Sequence, residues 1–220
     1  MKGRFIVIEG TDGSGKATQA KVLARWLREQ GRTVVEIDFP QYGQPAAYFE
    51  EQYLAGRYGS LDEVGPKRAS LFYALDRYDA SFALRQALSD GAIVIADRYV
   101  GSNMGHQGAK IADDTARQEY YRWIEHLEFE ILGIPRPDLN VVLLMPAALA
   151  LEFARARSEV AADLHEANLP HLIKAERTYR ELCQLFPRAF APIECTKSGN
   201  VLAITRIQAA IRERIAPLLD

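Results

Sequence analysis

A chain of 220 residues is the length of one compact domain, since a single hydrophobic core commonly serves up to about 250 residues. Apolar residues make up 48% and charged residues 25%, the balance of a folded globular protein and not of a disordered one. Lys and Arg number 27 against 29 Asp and Glu, so the net charge of -2 offers no global field to a nucleic acid polymer, and phosphate binding must be local. Cys183 and Cys195 form no CxxC pair, which leaves a zinc site or disulfide framework without support and fits a reducing compartment. The run from Arg4 to Glu9 lacks a signal peptide's longer apolar region, and no apolar run reaches the ~20 residues of a membrane span, so a cytoplasmic protein without a membrane partner is expected.

Short apolar runs alternate with helical patterns along the whole chain, the rhythm of an α/β protein with a mainly parallel sheet. The first strand is Phe5 to Glu9, followed by a helix from Lys16 to about Gln30 that Gly31 closes in the left-handed position. A second strand covers Thr33 to Asp38. Pro66 can open a long helix that Gly91 closes, with Leu71, Leu75, Phe82 and Leu88 in its buried stripe. The third strand is Ala92 to Asp97, and a helix spans Asp113 to Leu132. The prolines of GIPRPDL break the pattern before the fourth strand, Leu139 to Met145, and a weaker fifth runs from Phe190 to Cys195. The second to fourth strands are apolar almost throughout and are expected to be covered on both faces. With no repeat or linker, residues 1–220 read as a single α/β domain, a doubly wound, mainly parallel five-stranded sheet flanked by helices.

The first strand runs straight into Gly10-Thr11-Asp12-Gly13-Ser14-Gly15-Lys16 and then into a helix, the context a GxxxxGK phosphate loop requires. Glycines let several backbone N–H groups converge on one concavity, and the helix adds its positive end, so ATP is the expected ligand of Gly10 to Thr18. Lys16 is placed to meet the β and γ phosphates. Ala17 stands where a Ser or Thr usually ligates Mg²⁺, and Thr18, rotated by about 100° on the helix, cannot replace it. Asp97, at the carboxyl end of the third strand, is then the candidate carboxylate for Mg²⁺, beside Arg98, whose planar fork suits phosphate. On the long helix Tyr73 and Arg77 share a face one turn apart, a stacking ring with donors for a base edge.

These stretches together resemble the thymidylate kinase family. IEGTDGSGKATQ is similar to its phosphate loop, FPQY to its loop after the second strand, LFYALDR to its base-binding helix, and DRYVGSNMGHQGAK to its DRY segment. The resemblance implies phosphoryl transfer from ATP to dTMP with Mg²⁺ and a homodimer formed through helices. It places Asp12 beside the sugar hydroxyl and acceptor phosphate, and Phe39 and Pro40 around the monophosphate. Tyr73 would stack on thymine, Arg77 would donate to the base carbonyl, and Arg98 would bridge donor and acceptor phosphates. Ser102, Asn103, His106 and Gln107 would line the base and sugar. Residues 147–169 correspond to the lid, where Arg155 and Arg157 would supply charge because the phosphate loop has no arginine; Asp163, His165 and Glu166 follow them. Two departures accompany Ala17. Gln41-Tyr42-Gly43 lacks the basic residue frequent after Pro40, and His106 replaces a common Tyr or Phe.

The alternative readings are a kinase for another nucleoside monophosphate, sharing fold and reaction, and a catalytically weak nucleotide sensor, motivated by Ala17. Lys16, Asp97 and Arg98 together argue against the sensor, since a binder does not need the full set. A switch GTPase would need an NKxD motif, which is not in the chain, and a DxxG switch following directly on the second strand, which is not found there.

Overall fold

The structure is a computed structural model that describes residues 3–157 and 169–219. Five parallel strands lie in the order β2-β3-β1-β4-β5. They are β1 (Arg4–Gly10), β2 (Val34–Asp38), β3 (Ile93–Asp97), β4 (Leu139–Leu144) and β5 (Phe190–Glu194), each within a residue or two of its expected bounds. Successive side chains of a strand point to opposite faces, and β1 shows the consequence. Phe5 and Val7 join Val94, Ala96, Val142 and Leu144 in a core on one face. Ile6 and Ile8 join Ile93, Ile95, Val141 and Leu143 in a second core on the other.

Helices close both faces. On the Ile6 face lie α1 (Lys16–Glu29), through Leu23 and Leu27, and α8 (Ile204–Leu219), through Ile207, Ile211 and Ile215. The Phe5 face is covered by α3 (Leu61–Ser89), α5 (Asp114–Glu125) and α7 (Leu169–Leu185), which contribute Leu84, Tyr121 and Leu182 among others. Smaller elements complete the chain. α2 (Tyr48–Leu54) follows β2, and the single turn α4 (Val100–Ser102) leads into π-helical Asn103–Gln107 and 3-10 Gly108–Lys110. α6 (Ala147–Arg157) follows β4, and the short pair β6 (Thr196–Lys197) and β7 (Asn200–Val201) precedes α8. Among the described residues no helix is long and apolar enough to cross a membrane.

Two expectations change. β2 is an edge strand, and Val35, Glu36 and Asp38 are exposed, so its apolar run is not covered on both faces. In α3 the backbone leaves the helix at Gly65 (φ 73°), and Pro66 opens the long straight part, as its fixed φ favours. The first turn is capped separately, Ser60 Oγ accepting from Glu63 N while the Glu63 carboxylate accepts from Ser60 N. Beyond Pro66, however, Leu71, Leu75 and Phe82 are not the buried stripe. They lie with Tyr78 on an exposed one, Phe82 being 59% accessible, while Leu88 is half-buried. The inward stripe is Ala69, Tyr73, Asp76, Arg77, Ala80 and Leu84. Periodicity identifies an apolar stripe but not the face it is turned to, and here the inward face carries polar groups of a cavity.

Candidate active site

The carboxyl ends of β2, β3 and β1 are adjacent, so the loops leaving them converge. Arg98 N donates to Ile8 O at 3.0 Å, and Phe39 N to Asp97 O at 3.0 Å, which ties the loop after β2 and the DRY segment to the phosphate loop. A cavity of about 360 Å³ opens there, lined by residues of all three loops and of α3.

In the phosphate loop Gly13 has φ +81°, and a Cβ on it would stand 1.8 Å from Ala150 O. Only glycine allows both the left-handed turn and this approach of the loop to α6. Lys16 is buried, and its Nζ donates to Thr11 O at 2.9 Å. Burial, followed by repulsion from Arg98, lowers its pKa to about 8, against the opposing pull of Asp12, Asp97 and Glu9. Asp12, Gly13, Gly15, Lys16 and Ala17 line the cavity, whereas Thr18 is exposed and does not, as the helical rotation requires. Gly10 closes β1 with φ 142°. The buried hydroxyls of Thr11 and Ser14 meet no hydrogen-bond partner among the described residues, and neither does Asp97 Oδ1.

Arg98 is held in the left-handed region at φ 69°, which a non-glycine residue adopts only under surrounding constraint. Glu9 supplies part of it. Its buried carboxylate accepts from Tyr99 N at 2.9 Å, Ser102 Oγ at 2.7 Å and Tyr179 OH at 3.0 Å, pinning the turn that begins at Arg98. The guanidinium pairs through Nη2 with Asp12, and Nη1 reaches Gly10 O, Ser102 Oγ and His106 Nε2 at 3.2–3.3 Å. Burial disfavours its charge, but Asp12, Tyr179, Asp97 and Glu9 together outweigh burial and the net shift is upward. The Asp12 carboxylate is thus engaged by Arg98.

Tyr73, Arg77, Asn103 and Gln107 line the same cavity, and so do Phe39 and Pro40. The Phe39-Pro40 peptide is cis, and Phe39 packs on Tyr99 with ring centroids 5.5 Å apart. Arg77 is not simply open to a base. Its Nε and Nη2 make a bidentate pair with Glu128 at 2.6 and 2.7 Å, and Asn103 Nδ2 donates to the same carboxylate at 3.1 Å. Glu128 lies in the π-helical turn His126–Ile131, where no motif marked it.

A second acidic feature was also not singled out. Glu50 of α2 and Asp76 of α3 are both buried and line the cavity; Asp76 Oδ2 accepts from Gln41 N at 2.9 Å, and neither oxygen of Glu50 has a hydrogen-bond partner among the described residues. Burial, with the charge of Asp76, pushes Glu50 up to about 9, so it holds a proton at neutral pH. The native state therefore binds a proton that the unfolded state has released between the ordinary Glu value and about pH 9, and stability falls as pH rises through that window. Glu50→Gln, which cannot ionise, is expected to gain on the order of 4 kcal/mol over the parent between about pH 5 and pH 8. Urea unfolding at both values measures this, and a pH-independent difference would mean that Glu50 is charged in the fold.

Two lid residues fall outside this constellation. Arg155 is exposed on α6 and does not line the cavity, where only Ala154 of that turn does. The side chain of Arg157 and residues 158–168, including Asp163, His165 and Glu166, lie outside the described residues. Ser102 and His106 do line the cavity, beside Arg98. His171, half-buried on α7, stands against His106 and was not foreseen, since 65 residues separate them.

A phosphate loop, an arginine and a carboxylate at the neighbouring strand end, and one cavity continuing to an aromatic ring and a second arginine define a P-loop nucleotide kinase. Comparison with known proteins specifies the class. A family model described as thymidylate kinase matches residues 8–203. Thymidylate kinase of Mycobacterium tuberculosis is 38% identical over 156 residues, covering 70% of this chain and 72% of that one. Thymidylate kinase of Clavibacter sepedonicus is 35% identical, covering 100% of this chain and 97% of its own. A solved thymidylate kinase from Candida albicans superposes with a TM-score of 0.72 at 23% identity, over 98% of this chain and 92% of that one. The chain belongs to the thymidylate kinase family.

Proposed function

We propose that the protein transfers the γ-phosphoryl group of ATP to the 5′-phosphate of dTMP, giving dTDP and ADP. The observation that carries this is that one cavity is lined by the phosphate loop, by Asp97 and Arg98, and by Tyr73 and Arg77. The acceptor is already an anion at neutral pH, so no strong general base is needed and catalysis rests on positioning and charge. Lys16 and the backbone from Gly10 to Thr18 hold the donor phosphates, and Arg98 bridges them to the acceptor. Asp12 orients Arg98 and faces the sugar, Tyr73 stacks on the base, and Arg77, held by Glu128, donates to its edge.

Asp97, whose Oδ1 meets no hydrogen-bond partner among the described residues, would hold Mg²⁺, with Ala17 offering no hydroxyl beside it. The ion, when bound, neutralises charge on the donor phosphates. Arg155 and Arg157 belong to this reading only as lid residues that would swing in over the donor. A cytoplasmic location is part of the same reading, in keeping with nucleotide substrates and with cysteines that form no pair.

Purified protein with ATP and Mg²⁺ should release ADP fastest with dTMP when dTMP, dUMP, dCMP, dGMP and AMP are offered separately. Preference for another acceptor would overturn the base assignment, and ATP binding without transfer would overturn the kinase. The exposed stripe Leu71, Leu75, Tyr78 and Phe82 on α3 suits the homodimer interface that the family implies. Phe82→Asp is expected to convert a dimer into a monomer in sedimentation velocity; an unchanged sedimentation coefficient would place the contact elsewhere.

A further inference from the structure

We propose that His106 and His171 form a two-imidazole brace that fixes the Arg98 guanidinium, with His106 presenting a ring lone pair to Arg98 and His171 holding His106 in the tautomer that can do so. This rests on the role given to Arg98 in phosphoryl transfer, but its structural half stands independently of that role.

The argument is one of donors and acceptors. Arg98 Nη1 lies 3.2 Å from His106 Nε2, and a guanidinium only donates. His106 Nε2 must therefore accept, and the ring's one proton sits on Nδ1, the less common tautomer of free histidine. That proton needs an acceptor, and Nδ1 lies 3.4 Å from His171 Nε2. The geometry leaves the ring little choice of orientation. It stacks on His171 at 29° and meets the Tyr179 ring edge-on at 85°, while Gly105 lies so close to Tyr179 that a Cβ there would stand 2.5 Å from the ring.

Burial, and after it the charges facing the pair, keep both rings neutral. Burial, then Arg98, His171 and Lys16, lower His106, against the pull of Asp12. Burial, then Lys110 and Lys174, lower His171 to about 4, again against Asp12. A cationic His106 would carry a proton on Nε2 and confront Arg98 donor to donor. His171 thus acts through His106, and α7 reaches the phosphoryl-bridging arginine by two hydrogen bonds.

Nitrogen-15 imidazole spectra of the full-length protein test the tautomer without any assay of turnover. His106 is expected to be protonated on Nδ1 and unprotonated on Nε2 from about pH 6 to 8, with His171 protonated on Nδ1. In His171→Ala the His106 signal should shift toward the common Nε2-protonated form, and kcat with dTMP should fall about 5- to 20-fold with KM for ATP and dTMP within about twofold. His171→Asn, whose amide oxygen can accept from Nδ1, should recover most of that loss, which a role confined to packing would not produce. An Nε2-protonated or cationic His106 in the unaltered protein at pH 7 overturns the brace. So does a kcat for His171→Ala within twofold of the parent, or, if His171→Ala does not fold, a folded His171→Asn whose His106 has lost the Nδ1 proton. Absence of dTMP phosphorylation by the unaltered protein, with the tautomer as stated, would instead refute the kinase reading and leave the brace standing.

Discussion

Lys16→Ala is expected to lower kcat/KM for ATP about 10²- to 10³-fold, the scale of losing one preorganised donor at developing charge, about 3–4 kcal/mol. The fold should survive. Lys16 contributes a hydrogen bond to Thr11 O within its own loop, and its removal leaves a carbonyl beside an open cavity rather than a hole in either core. The lowered pKa adds a second expectation with a definite sign. With Lys16 at about 8 before binding, and phosphate oxygens favouring its charged form, nucleotide binding takes up a proton above that value. ATP affinity should be flat below about pH 7 and should weaken up to tenfold per unit above about pH 8. Calorimetric titration at several pH values measures both affinity and proton uptake. Full turnover by a folded Lys16→Ala protein would sink the assignment of the loop.

Arg98→Ala is expected to cost about 10³-fold in kcat, and Arg98→Lys to restore no more than about tenfold of it. The reason is geometric. Arg98 spreads donors from one planar group to Asp12, Gly10 O, Ser102 Oγ and His106 Nε2, and an ammonium on a flexible stem cannot hold that pattern. Stability should move less than activity, because relief of the left-handed backbone at position 98 is not available to Ala or Lys but the lost ion pair is partly solvated. Single-turnover rates with dTMP, together with thermal unfolding, separate the two effects. Arg98→Lys at parental kcat would show that Arg98 supplies charge without geometry, or none at all.

The sheet was legible because parallel strands covered by helices are short apolar runs, and the phosphate loop because its spacing, lysine and flanking elements occur together in residues Phe5 to Lys16. Arg98 and Asp97 followed from their place at a strand end. What escaped was set by chain-distant packing. Glu128 carries no signal in HLEFEI, yet it decides how Arg77 is held. His171 meets His106 only because α7 lies across the DRY segment. The orientation of α3 was misjudged for a related reason. Leu71, Leu75 and Phe82 are the more hydrophobic stripe, but the fold turns Asp76 and Arg77 inward to the cavity and leaves the leucines outside. Asp76 was in principle readable, being a carboxylate between Tyr73 and Arg77 on the same inward stripe.

The clamp of Glu128 on Arg77 has a bearing on inhibitor chemistry. A guanidinium carries five N–H donors, and three are committed, two to Glu128 and one, at 3.4 Å, to Tyr99 O. Roughly two remain for a ligand, on a group whose charge is already balanced and whose rotation is blocked. A thymine replacement that offers one neutral acceptor should keep its affinity here, whereas a carboxylate or sulfonate meant to seize the arginine would find a guanidinium whose charge Glu128 already balances and would gain little. Compounds built around a charged arginine anchor are therefore a poor starting point for this pocket, and neutral heterocycles that spend their size on Tyr73 are a better one.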